Sequence, residues 1–169
     1  GQQLGMVEFL HPRVEEFCGI MPARMGRFVL ASPRLRRLLG LFAKPRNLRT
    51  NSLHGFLLLY FMAKLRRVRP YSLVYQLEHA QMEQWLEAIR AAAATDRDLA
   101  LVLARCGRLV KGYGETRKRG TGNLQRILAV YRQLQSLPGP AVSALRDAAM
   151  ADEGGAALAA VEAELLARR

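Results

Sequence analysis

The stretch RLVKGYGETRKRGTGNL, residues 108–124, holds four glycines and five basic residues in seventeen positions. Such a composition suits phosphate binding, because glycines let backbone amides approach an anion while Lys and Arg neutralise it. A nucleotide loop has further requirements. A Walker loop closes a strand-to-helix turn with Gly-Lys-Ser/Thr, and a dinucleotide fingerprint runs Gly-x-Gly-x-x-Gly after a strand. Neither pattern stands here, and Gly112-x-Gly114 follows a helical segment, so its amides are not aimed at a pyrophosphate. The residues read instead as an inter-helix corner: Gly112 as a left-handed cap, a cationic loop, and a new helix opening at Thr121 or Asn123. A simple connection has no need of Tyr113, Glu115 or the run Arg117-Lys118-Arg119. Lys111, Gly112, Tyr113, Gly114, Glu115, Thr116, Arg117 and Arg119 therefore form the candidate docking or anion-binding corner.

Other chemistry finds little support. The two cysteines, Cys18 and Cys106, each sit in an apolar helical stripe and read as buried structural thiols. Without a C-x-x-C pair, zinc and iron–sulfur ligation by this segment are excluded, and His11, His54 and His79 lack metal-ligand spacing. No Ser/His/Asp set can be nominated, and Glu83 and Glu87 occupy a polar helix face where solvated carboxylates belong, so the segment is expected to be non-catalytic. The longest apolar run, residues 56–63, falls well short of the roughly 20 residues a spanning helix needs, which points to a soluble, cytoplasmic protein with no membrane partner. The chain opens GQQLGMVEF, without an initiator Met or signal-peptide pattern, and reads as part of a longer polypeptide.

Charge is segregated along the chain. Residues 1–70 carry 13 Lys/Arg against 3 acids, and residues 105–132 carry 8 against 1, whereas residues 71–104 and the tail are acidic on balance. Segregation of this kind marks a partner surface: nucleic acid, an anionic ligand, or an acidic face of another domain.

The elements that must position these groups are helical, since a 3.6-residue period dominates and no convincing two-residue alternation appears. The expected fold is an all-α bundle of about seven to nine helices with no sheet. Pro12, Pro22 and Pro33 suit first turns, and Ser32 suits an N-cap. TNSLHGFLLLYFMAKLRRV, capped by Asn51 or Ser52, is apolar on nearly all sides and is expected to be the central buried helix. After Pro70, with Ser72 as cap, Tyr71, Tyr75, Met82, Trp85, Leu86, Ile89 and Ala93 share one face together with Glu78. A carboxylate in an apolar stripe needs a partner, and Glu78 is expected to pair with Lys111 or Arg119 and lock the corner to the core. Asp96 or Asp98 opens the next helix, whose stripe of Leu99, Val102, Leu103, Cys106, Leu109 and Val110 extends to Tyr113; Leu124, Ile127, Leu128, Tyr131 and Leu134 form the following one. Two Ala-rich segments divided by Gly154 and Gly155 read as a helical hairpin. The expected division is a basic helical domain over 1–137 and the hairpin over 138–169.

LARCGRLVKGYGETRKRGTGNLQRIL resembles the Arg/Lys-Gly-Tyr-Gly-Asp/Glu-Thr stretch in the C-terminal helical region of one of the indolepyruvate oxidoreductase subunits and of related indolepyruvate ferredoxin oxidoreductases. RPYSLVYQLEHAQMEQWLEAI, with Tyr75, Gln76, Glu78 and Trp85 at matching places, and MPARMGRFVLASP are similar to further shared pieces; together they cover residues 20–131. The resemblance implies an accessory, docking domain of an enzyme that oxidatively decarboxylates aryl pyruvates, passing electrons to ferredoxin and the acyl group to coenzyme A. It implies thiamine diphosphate and iron–sulfur clusters for the parent complex, none in this segment. The implied partners are the catalytic subunit and another domain of the same polypeptide. A different reading stays open: a free-standing basic helical module that binds nucleic acid or another polyanion.

Overall fold

A computed structural model describes residues 7–10, 13–42, 46–49, 52–134 and 137–167. Among them lie nine α-helices: α1 (Val14–Ile20), α2 (Ala23–Ala31), α3 (Pro33–Phe42), α4 (Leu53–Lys64), α5 (Leu73–Ala93), α6 (Arg97–Cys106), α7 (Gly114–Leu134), α8 (Gly139–Ala151) and α9 (Ala156–Ala167). The all-α expectation holds, with one departure: β1 (Val7–Leu10) pairs antiparallel with β2 (Arg46–Arg49), Val7 opposite Arg49 and Leu10 opposite Arg46. Strands of four residues are too short to display a two-residue period, and their pairing is a long-range event. Pro12, His11 and Asn51 lie outside the described residues.

The chain divides into two compact units, Gly1–Ala80 and Gln81–Arg169. The hairpin expected over 138–169, packed on or appended to the rest, lies in the second unit, where α8 and α9 pack on α6 and α7.

In the first unit α1, α2 and α3 follow one another through Pro22 and Ser32, and α2 begins directly after Pro22. The Leu73 N–H donates to the Met21 carbonyl (3.0 Å), and Pro22 bridges Ser72, so the start of α5 is tied to the α1–α2 junction around buried Cys18, Ala23 and Leu73. Ser52 caps α4 by accepting from the Gly55 N–H at 3.1 Å, and Ser72 accepts from the Tyr75 N–H at 3.4 Å, as the sequence suggests. The expectation that α4 is the central buried helix is overturned. Only Gly55 is buried in it, while Phe56, Tyr60 and Phe61 are 60%, 53% and 62% exposed. Apolar residues on every side state that a helix needs covering; they do not say by what.

The second unit holds the main core. Leu103, Cys106, Ile127, Leu128, Val142, Leu145 and Leu158 are fully buried, with Trp85, Ile89, Val102, Val110 and Tyr131 packed against them. The α5 stripe is only partly correct: Met82 and Ala93 are exposed, Tyr71 lies in an exposed 3-10 turn at Arg69–Tyr71, and the deep positions are Ala88 and Ala92. Small side chains let helices approach closely, so alanine reaches the bottom of the contact while larger groups line its margin. Asp96 caps α6 through the N–H groups of Asp98 and Leu99 (2.9 and 3.0 Å). The hairpin of α8 and α9 turns at Asp152, whose carboxylate accepts from Gly154, Ala156 and Ala157 (2.7, 2.6 and 3.1 Å).

Candidate docking corner

The corner begins where α6 ends. A 3-10 turn at Gly107–Leu109 continues it, and Leu109 is buried. Gly107 lies under the Trp85 indole, where a β-carbon would come within 2.6 Å of the ring, and Trp85 Nε1 donates to the Leu103 carbonyl at 2.8 Å. The Lys111 N–H then donates to the Leu109 carbonyl at 3.0 Å. Gly112 and Gly114 carry φ of 76° and 56°, the left-handed region that favours glycine, so the chain reverses over three residues and α7 starts at Gly114.

This corrects the sequence reading of a cationic loop running to Thr121 or Asn123. Glu115, Thr116, Arg117, Lys118, Arg119, Gly120 and Thr121 are all helical. Glycine-rich sequence argues against helix, yet Gly120 serves a packing purpose here: a β-carbon on it would overlap the Leu109 carbonyl oxygen. The Thr116 γ-methyl lies 3.1 Å from where a Gly112 β-carbon would sit. At Gly120 the reversal thus meets the Leu109 backbone, while at Gly112 its neighbour is a side chain.

Side chains at the corner face solvent. Lys111 through Lys118 are exposed, and Tyr113, expected to continue the α6 stripe, is 93% exposed. Arg119 is half-buried and donates to Glu153 at 2.9 Å, which ties the second turn of α7 to the α8–α9 turn. Within the first unit Glu78 faces Arg69 at 3.8 Å, and within the second Arg119 pairs with Glu153. Glu153, 34 residues from Arg119, had no signal in the sequence. Farther along α7, Arg126 makes a bidentate pair with Glu162 (Nε to Oε1 3.0 Å, Nη2 to Oε2 2.6 Å).

Electrostatically the corner is unbalanced. Arg117, Lys118 and Arg119 stand in the first two turns of α7, toward the end of the helix where the dipole disfavours cations by an amount that falls off within the first turn, and Glu115 is the single acid of that first turn. The arrangement concentrates positive potential beside a projecting tyrosine, which suits contact with an anionic surface.

The residues do not fit an iron–sulfur cluster, the group implied for the parent complex. Its four thiolates cannot come from two cysteines in separate units, and both are buried. Burial pushes the Cys106 thiol up to about 11, and its Sγ–H donates to the Val102 carbonyl at 3.3 Å. Among the described residues no group of three His, Cys, Asp or Glu is placed to hold a metal ion, and no helix is long and apolar enough to cross a membrane.

Comparison with curated proteins and with solved structures gave no significant match. A family model matches residues 2–130, which include the whole corner and stop before the α8–α9 hairpin. With three quarters of its length so matched, the chain belongs to the family of unknown function DUF6537.

Proposed function

We propose that the chain is a non-catalytic docking domain of a 2-oxoacid ferredoxin oxidoreductase of the indolepyruvate type, whose parent enzyme forms aryl-acetyl-CoA by oxidative decarboxylation. The observation that carries the reading is Tyr113, fully presented between two left-handed glycines on a backbone pinned at Leu109 and Gly120. An exposed aromatic ringed by charge has the make-up of an interface anchor. The resemblance of the surrounding residues to the indolepyruvate enzymes supplies the kind of partner, the thiamine-dependent catalytic subunit, and implies a cytoplasmic location.

Isothermal titration of the full chain with that purified subunit tests the reading. Stoichiometric association that Tyr113→Ala weakens by about tenfold or more supports it. Absence of association, together with salt-dependent binding to arbitrary duplex DNA, sinks it in favour of the polyanion module.

A further inference from the structure

The first unit repeats one pattern on two consecutive helices. In α2, Arg24, Arg27, Phe28 and Ala31 stand at i, i+3, i+4 and i+7. In α3, ten residues on, Arg34, Arg37, Leu38 and Leu41 take the same four places. At 100° per residue each set falls within an arc of about 100°, so each helix carries two arginines and two apolar side chains on one face. Every one of them is exposed, Phe28, Leu38 and Leu41 by 69%, 54% and 61%. The i+2 place is used by the unit itself: a β-carbon on Gly26 would overlap the Cys18 carbonyl oxygen, and Arg36 pairs with Glu15 of α1 at 3.2 Å. On the outward faces Arg27 donates to Gln76 Oε1 at 3.5 Å, while Arg24, Arg34 and Arg37 make no ion pair among the described residues.

Two features together give the chemistry of the occupant. From Phe17 to Leu77 the chain holds twelve Lys/Arg and no Asp or Glu, which calls for an occupant of negative charge. Phe28, Leu38 and Leu41, set among those arginines, call for hydrocarbon beside the charge. The backbone of duplex nucleic acid supplies phosphates but nothing apolar for these three. The surface of an anionic bilayer supplies both in adjacent layers: long arginine stems carry guanidinium groups to the phosphates while phenylalanine and leucine enter the acyl boundary. Lying on a membrane also makes no demand on helix length, so the short apolar run that rules out a spanning helix does not bear on it.

We propose that the arginine-bearing faces of α2 and α3 bind the surface of an anionic lipid membrane, their guanidinium groups taking lipid phosphates and Phe28, Leu38 and Leu41 entering the boundary between headgroups and acyl chains. The proposal is independent of the docking function and needs neither the corner nor a catalytic subunit.

Cosedimentation of the full chain with vesicles tests it, comparing pure phosphatidylcholine with a phosphatidylcholine–phosphatidylglycerol mixture. Wild type is expected to partition onto the mixed vesicles and about tenfold or more weakly onto the pure ones. Arg34→Ala/Arg37→Ala and Phe28→Ser/Leu38→Ser are each expected to lose about tenfold or more on the mixed vesicles, with circular dichroism showing unchanged helix content. Equal partition of wild type onto both vesicle types, or onto neither, overturns the proposal without recourse to a variant. A loss confined to the arginine pair, with salt-dependent binding to arbitrary duplex DNA, assigns the faces to nucleic acid and overturns it. Self-association in sedimentation velocity that either pair abolishes, in place of lipid binding, assigns them to carboxylates of residues 71–104 or 133–169 of a second copy and overturns it as well.

Discussion

Gly120 faces the carbonyl oxygen of Leu109 so closely that a β-carbon at that position would overlap it. Two helical turns thereby meet backbone to backbone, and the candidate corner hangs from that contact. Gly120→Ala is expected to destabilise the chain by about 1–3 kcal/mol, since overpacking against backbone outweighs the gain in helix propensity. Gly122, two residues on in the same helix, has nothing within 4 Å of where a β-carbon would stand, and Gly122→Ala should stabilise by about 0.5–1 kcal/mol. Urea unfolding of the pair, read side by side, separates a packing glycine from a merely flexible one; equal effects would refute the contact.

The two ion pairs of α7 should differ in weight. Glu162 is 16% exposed and held bidentately by Arg126, whereas Glu153, the partner of Arg119, is 85% exposed. Glu162→Ala is expected to cost about 1–3 kcal/mol, because Arg126 loses its charged partner in a part-buried site, and Glu153→Ala no more than about 1 kcal/mol. Double-mutant cycles on both pairs measure the difference, and a stronger coupling at Arg119 would reverse the ranking.

Asp152 gives the turn between α8 and α9 a response to acid. Hydrogen bonds from the N–H groups of Ala157, Gly154 and Ala156 hold its carboxyl below the usual range. A lowered folded pKa contributes stability that is fully present above the unfolded value and is lost as pH falls through the folded one. Melting temperatures of wild type and Asp152→Ala should therefore differ at neutral pH and converge below about pH 4. A gap that persists in acid would mean that the carboxylate's charge is not what holds the turn.

Cys106 should answer in the opposite direction of pH. Its thiol, raised to about 11 by burial, keeps its proton where the unfolded chain has lost it, so its contribution to stability is present below about pH 9 and declines between there and 11. In the native state Cys106 is expected to resist alkylation at pH 8 and to react on unfolding in urea. Rapid native labelling at pH 8, located by mass spectrometry, would contradict its burial.

Local chemistry made much of this chain legible. The caps at Ser52, Ser72 and Asp96, the stripes of α6 and α7 and the α8–α9 hairpin all follow from hydrogen bonds or periodicities that span a few residues. So does the left-handed backbone at Gly112. What escaped depends on distant partners. Helix α7 begins at Gly114 because Gly120 finds the Leu109 carbonyl, which propensity cannot foresee. Arg119 meets Glu153 because the hairpin folds back onto α7. The ribbon of β1 and β2 joins segments nearly forty residues apart. The clearest division is at α4: its sequence states that the helix is apolar all round, while only the tertiary structure decides whether those side chains enter the chain's own core, and here they stand exposed.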